Sequence, residues 1–103
     1  MEPKPETALV AECVKILRAR GCLAWRQNVG ARKCGDRFVR FGFPGLSDII
    51  GLTPKGRFIA IECKVGNNPV SEEQREFLTS VTGRNGLAMV VRDDPSELVS
   101  VDL

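Results

Sequence analysis

Apolar positions fall into two periodic patterns along this chain. From about Glu6 to Arg20 they recur at helical spacing: Leu9, Cys13, Ile16 and Leu17 share one stripe, widened by Val10 and Val14. Gly21 follows as a stop signal. Leu23 to Val29 alternates as a first strand and Arg37 to Phe41 as a short second one, with Gly30 to Gly35 read as a loop between them. Two apolar runs, Ile49 to Leu52 and Phe58 to Ile61, flank Thr53-Pro54-Lys55-Gly56-Arg57, and Pro and Gly between β-prone runs predict a hairpin. A second helical stripe, Gln74, Phe77, Leu78 and Val81, ends at Gly83. Leu87 to Val91 is a continuous apolar run, which predicts a buried strand; Asp93-Asp94-Pro95 breaks it, and Ser96 to Val99 reads as a short helix or turn. Residues 1–6 read as a frayed tail. The order α, three or four β, α, β predicts an α/β fold, one small mixed sheet with helices on both faces and a last strand parallel to the one before the second helix.

Polar residues inside the hairpin carry the candidate chemistry. Asp48 opens its first strand; Glu62 ends the second, with Lys64 two residues on and therefore on the same face. If the loop is Pro54-Lys55-Gly56, Thr53 lies opposite Arg57 and Asp48 lies opposite Glu62. A two-residue loop would instead set Asp48 opposite Cys63 and throw the acids onto opposite faces. In the first register two carboxylates and an ammonium converge, and a hard divalent cation suits such oxygens. The bland alternative is a turn-starting Asp48 beside a solvated Glu62–Lys64 pair. Against it, the strand is apolar on both faces: Ile59 and Ile61 with Cys63 on one, Ile50, Leu52, Phe58 and Ala60 with the acids on the other.

Two further residues have double readings. Glu12 borders the buried stripe of the first helix, either as a rim glutamate in water or as a third carboxylate looking toward a metal. Gln74 closes a capping box with Ser71, yet also continues the buried stripe of its helix, from which it can reach the acid-bearing strand.

Composition narrows the function classes. At 103 residues, 43% hydrophobic and 27% charged, the chain is expected to be one cytoplasmic globular domain, residues 1–103, with no membrane span. There is no histidine, which removes His-based acid–base catalysis, and Cys13, Cys22, Cys34 and Cys63 lack the C-x-x-C spacing of a zinc site. The net charge of +2 is uninformative, but its distribution is not: Arg26, Arg32, Lys33, Arg37 and Arg40 face one acid, Asp36, over the same stretch. With Trp25, Phe38, Phe41 and Phe43 interleaved, this suits either a nucleic-acid backbone with nearby bases or a solvated hairpin over buried aromatics.

Four motifs in order, Gly45-Leu46-Ser47-Asp48-Ile49-Ile50-Gly51, Ile59-Ala60-Ile61-Glu62-Cys63-Lys64, Ser71-Glu72-Glu73-Gln74 with Phe77-Leu78, and Gly86-Leu87-Ala88-Met89-Val90-Val91, resemble the PD-(D/E)xK nuclease superfamily and, within it, the VRR-NUC family. Ser47 departs from the proline that often precedes the first acid. The resemblance implies a restriction-endonuclease-like αβββαβ core. It implies that Asp48, Glu62 and the main-chain carbonyl of Cys63 bind Mg²⁺, with Mn²⁺ able to substitute, that Lys64 positions the attacking water, and that Gln74 and Glu12 complete the catalytic set. It also implies a DNA endonuclease of phage-type origin, acting as a homodimer on branched DNA such as four-way (Holliday) junctions. Two readings stand beside it: a non-catalytic DNA-binding module on a nuclease fold, and a nuclease subunit acting on linear DNA within a larger repair or restriction complex.

Overall fold

The computed structural model describes residues 5–27 and 43–103 in full, and the backbone of residues 30–34 and 37–41. Helix α1 spans Glu6–Ala19 and buries Leu9, Val10, Cys13, Val14 and Leu17, the stripe that the spacing predicts. Gly21 ends it in the left-handed region at φ +87°. From there Gly21 N–H donates to the Arg18 carbonyl and Cys22 N–H to that of Leu17, both at 3.0 Å, a Schellman cap that satisfies the last carbonyls.

Four strands form the main sheet: β1 (Leu23–Arg26), β4 (Ile49–Leu52), β5 (Phe58–Lys64) and β6 (Leu87–Arg92), side by side in the order β1-β4-β5-β6. The first two pairings are antiparallel and β5–β6 is parallel, so the sheet is mixed. Helix α2 (Glu72–Thr82) connects the two parallel strands. A 3-10 helix, Pro95–Val99, closes the chain. No helix among the described residues is long and apolar enough to cross a membrane.

Two strand readings are corrected. Residues 30–34 are not a loop but strand β2 (Gly30–Cys34), which pairs antiparallel with β3 (Arg37–Phe41) in a separate two-stranded sheet. The register runs from Gly30 opposite Phe41 to Cys34 opposite Arg37. The run Leu87–Val91 is a strand, but Ala88, Met89 and Val90 are only half-buried, because β6 lies at the edge of the sheet.

Each sheet face has its own apolar layer. On one, α1 packs Leu9, Cys13 and Leu17 against Ile49, Ile59, Ile61 and Cys63, joined by Leu98. On the other, Val81, Leu78 and Phe77 of α2 cover Ile50 and Ala60. The alternation along β5 therefore sorts Glu62 and Lys64 onto the α2 side and Cys63 onto the α1 side. Leu17 is wholly buried, so Leu17→Ala should lower the unfolding free energy by about 2–5 kcal/mol, read from urea denaturation followed by circular dichroism.

Candidate active site

The β4–β5 turn decides where the two acids lie. Thr53 N–H donates to the Arg57 carbonyl at 2.8 Å and Gly56 N–H to the Thr53 carbonyl at 2.8 Å. Gly56 is in the left-handed region at φ +84°. The loop is thus Pro54-Lys55-Gly56, a three-residue turn with glycine at the position that needs positive φ. The ladder runs Leu52 opposite Phe58 and Ile49 opposite Ile61. One step further Asp48 lies opposite Glu62, the register that brings the carboxylates to one face.

Both acids are pinned. Asp48 Oδ2 accepts from the Cys63 main-chain N–H at 2.8 Å. The N–H and C=O of one strand residue point to the same edge, so the Cys63 carbonyl faces the Asp48 side as well. Glu62 is 1% exposed. Its Oε1 accepts from Gln74 Nε2 at 2.9 Å and stands 3.9 Å from Lys64 Nζ. Gln74 also completes the capping box: its Oε1 accepts from Ser71 N–H at 2.9 Å while its own N–H donates to Ser71 Oγ at 3.1 Å. The two readings of Gln74 are therefore one arrangement. Ser71 N–H can only donate, so the amide oxygen must face it and the –NH₂ must face Glu62.

A third carboxylate comes from α1, and it is Glu6. One oxygen from each of Glu6, Asp48 and Glu62 lies within 4.8 Å of the others. Glu12 is half-buried and lies outside that cluster. Glu6 and Glu12 are six residues apart, about 9 Å along the helix axis. The reading of residues 1–6 as a tail obscured Glu6. Its signal was available: Glu6 stands three, four and seven residues before Leu9, Val10 and Cys13, at the middle of the buried stripe.

The loop before Asp48 is locked to the turn that bears Gln74. Gly45 has φ +79°, and a Cβ there would collide with the Glu73 main-chain carbonyl. Only glycine lets these segments touch. Between them lies a cleft of about 190 Å³ lined by Gln27, Asp48, Ser71, Glu73 and Gln74.

Burial raises the Glu62 carboxyl from its usual 4.5 to about 8, helped by a hydrogen bond with Asp48 and by the charges of Asp48 and Glu6, and opposed by Lys64. With all acids ionised neither Asp48 nor Glu62 carries a donor, and Glu62 Oε2 is buried without a partner among the described residues. A proton or a cation would satisfy it. The donor set is oxygen only, because the Cys63 thiol is on the other face, 3.8 Å from Cys13 Sγ, and that contact together with burial pushes its pKa up. Clustered carboxylates with an orphaned oxygen fit a hard divalent cation.

Arg26 is exposed at the end of β1. The side chains of Arg32, Lys33, Arg37 and Arg40 lie outside the described residues.

A mixed α/β sheet with carboxylates gathered at the end of a central hairpin, and a lysine two residues beyond the second, is consistent with a nuclease-like core. The model of the VRR-NUC domain matches residues 5–94, and the chain belongs to this family of nuclease domains. No curated protein matches it.

The raised Glu62 pKa has a definite sign in stability. The folded protein holds a proton that the unfolded chain releases near 4.5, so this contribution is full below that pH and is lost as pH rises through about 8. In EDTA the wild type should lose melting temperature relative to Glu62→Gln between about pH 5 and about pH 8, and Mg²⁺ should restore more of it at the higher pH. Differential scanning fluorimetry across this range checks both.

Proposed function

We propose that this chain is a Mg²⁺-dependent DNA endonuclease that hydrolyses phosphodiester bonds and acts as a homodimer on branched DNA such as four-way junctions. The observation that carries the enzymatic part is the convergence of Glu6, Asp48 and Glu62, the last of which keeps one carboxylate oxygen buried without a partner among the described residues. Asp48, Glu62 and the Cys63 carbonyl would hold the cation, with Glu6 as a further carboxylate. Such an ion, when bound, neutralises charge on the phosphoryl oxygens and makes water a better nucleophile.

The protein's own groups do the rest. Gln74 engages Glu62 Oε1, leaving Oε2 for the cluster. The Cys63 amide holds Asp48 in place. Lys64, mostly buried beside Glu62, brings a positive charge to the face on which negative charge builds at phosphorus. Water adds to phosphorus as the ester P–O bond breaks, giving a phosphate monoester and a free hydroxyl. The basic stretch from Arg26 to Arg40 supports DNA as the substrate. Branched DNA and the dimer rest on the likeness to junction-resolving enzymes, whose two-fold substrate suits a two-fold dimer.

Labelled four-way junction and matched duplex, incubated with Mg²⁺ or EDTA, test this reading. Wild type should cut the junction faster than the duplex and only with Mg²⁺, Asp48→Ala should be inactive, and light scattering should give a dimer. Gln74→Leu should slow cutting by about 10–100-fold through a disoriented Glu62. No cutting of either DNA under any metal condition would sink the enzyme; equal rates on both would sink branch selectivity alone. Changing Arg32 and Lys33 together to alanine should reduce the slope of log affinity against log salt by about 2. An unchanged slope removes these residues from the interface.

A further inference from the structure

Gln27 stands in the same cross-strand row as the two acids. The β1–β4 register sets Trp25 opposite Ile50 and Arg26 opposite Ile49. One step on, Gln27 is opposite Asp48, and its main-chain N–H donates to the Asp48 carbonyl at 2.7 Å. Asp48 is in turn opposite Glu62. Opposed residues share a face, so Gln27, Asp48 and Glu62 form a row across three strands. Gln27 also lines the cleft with Asp48 and Gln74.

Its side-chain amide has a defined orientation. The Trp25 indole N–H, two residues earlier, donates to Gln27 Oε1 at 3.0 Å. An indole nitrogen only donates, so the amide oxygen must face it, and the –NH₂ is left over. Among the described residues that –NH₂ has no acceptor. Two glutamine amides thus flank the carboxylate pair with different tasks. The –NH₂ of Gln74 is occupied by Glu62; that of Gln27, a residue lining the cleft, is without an acceptor among the described residues.

A phosphodiester arriving beside three carboxylates meets like charge. Neutral donors already fixed on the cleft wall favour its non-bridging oxygens without disturbing the charges that gather a cation. We propose that Gln27 is a substrate-contacting residue: its side-chain –NH₂ donates to a non-bridging oxygen of the phosphodiester seated in the cleft, and Trp25 holds the amide in the donating orientation. This inference rests on the nuclease reading above and names the group that meets its substrate.

Trp25 supplies the readout, because it is the only tryptophan in the chain and is 38% exposed next to the row. Two variants separate the possibilities. Gln27→Glu keeps an oxygen for the indole and loses both donors; Gln27→Leu loses the donors without adding charge. Affinity for a short labelled duplex is measured by anisotropy in EDTA, where nothing is cut, with melting temperature and Trp25 emission recorded alongside. The expected result is that duplex shifts Trp25 emission in the wild type, that both variants melt as the wild type does, and that both bind about tenfold more weakly. Gln27→Glu should keep the unliganded Trp25 emission. Wild-type affinity in Gln27→Leu, including the case in which only the charged variant weakens, overturns the assignment. A wild type that binds but never cuts with Mg²⁺ sinks the nuclease reading while the variants still decide the role of Gln27. A wild type that cuts while Gln27→Leu binds normally sinks Gln27 alone, and a wild type without affinity for DNA sinks both.

Discussion

The pairing of Asp48 with Glu62 across one step of a β-ladder is the constraint on which the rest of this molecule depends. Two carboxylates at that separation repel, and one of them is almost wholly removed from water. Everything placed around them answers that cost in part: the Cys63 amide on Asp48, the Gln74 amide and Lys64 ammonium on Glu62. None of these neutralises the pair completely. Lys64 stands 3.9 Å away, too far for a hydrogen bond, and Glu62 Oε2 is left over. An arrangement that is incomplete in this way favours a retained proton on Glu62, as its raised pKa shows, and is compatible with a bound cation.

The scaffold can carry this local cost because its apolar layers lie elsewhere. Ile59, Ile61 and Cys63 bind the central strand to α1, while Ala60 and Ile50 bind it to α2. The site is at the end of that strand, where α2 begins and where the first turn of α1 reaches over. Both helices contribute by their N-terminal residues, Glu6 and Gln74, so the packing stripes that anchor the helices also aim the polar groups that precede them. Gly45 joins the two systems, since any side chain there would push the Asp48 loop away from the Gln74 turn.

The sheet is used unevenly. Helix α2 covers β6 and the middle of β5, whereas Leu23, Trp25 and Leu52 on β1 and β4, with Phe58 at the start of β5, lie on the same face by register and keep more than a third of their surface in water. The β2–β3 hairpin leaves the chain between β1 and β4, at the end of the sheet where Gln27 and Asp48 stand.

The periodic elements and the order of the motifs are legible in the sequence. Local geometry is enough for these: the 3.6-residue stripe of α1, the Ser71–Gln74 capping box, and β-prone runs on either side of Pro54-Lys55-Gly56. The sequence also showed that the two acids meet only if the loop has an odd length, because strand alternation leaves no third choice. It could not choose that register over its even neighbour, or say which helix acid joins the pair. Glu6 and Glu12 look alike locally; only the docking of Leu9, Cys13 and Leu17 on the sheet puts Glu6 over the site. Gln27 was invisible for the same reason, since its place beside Asp48 depends on pairing between strands far apart in the chain. Propensity and periodicity act over a few residues, whereas the reach of a side chain into a shared site is a matter of tertiary packing.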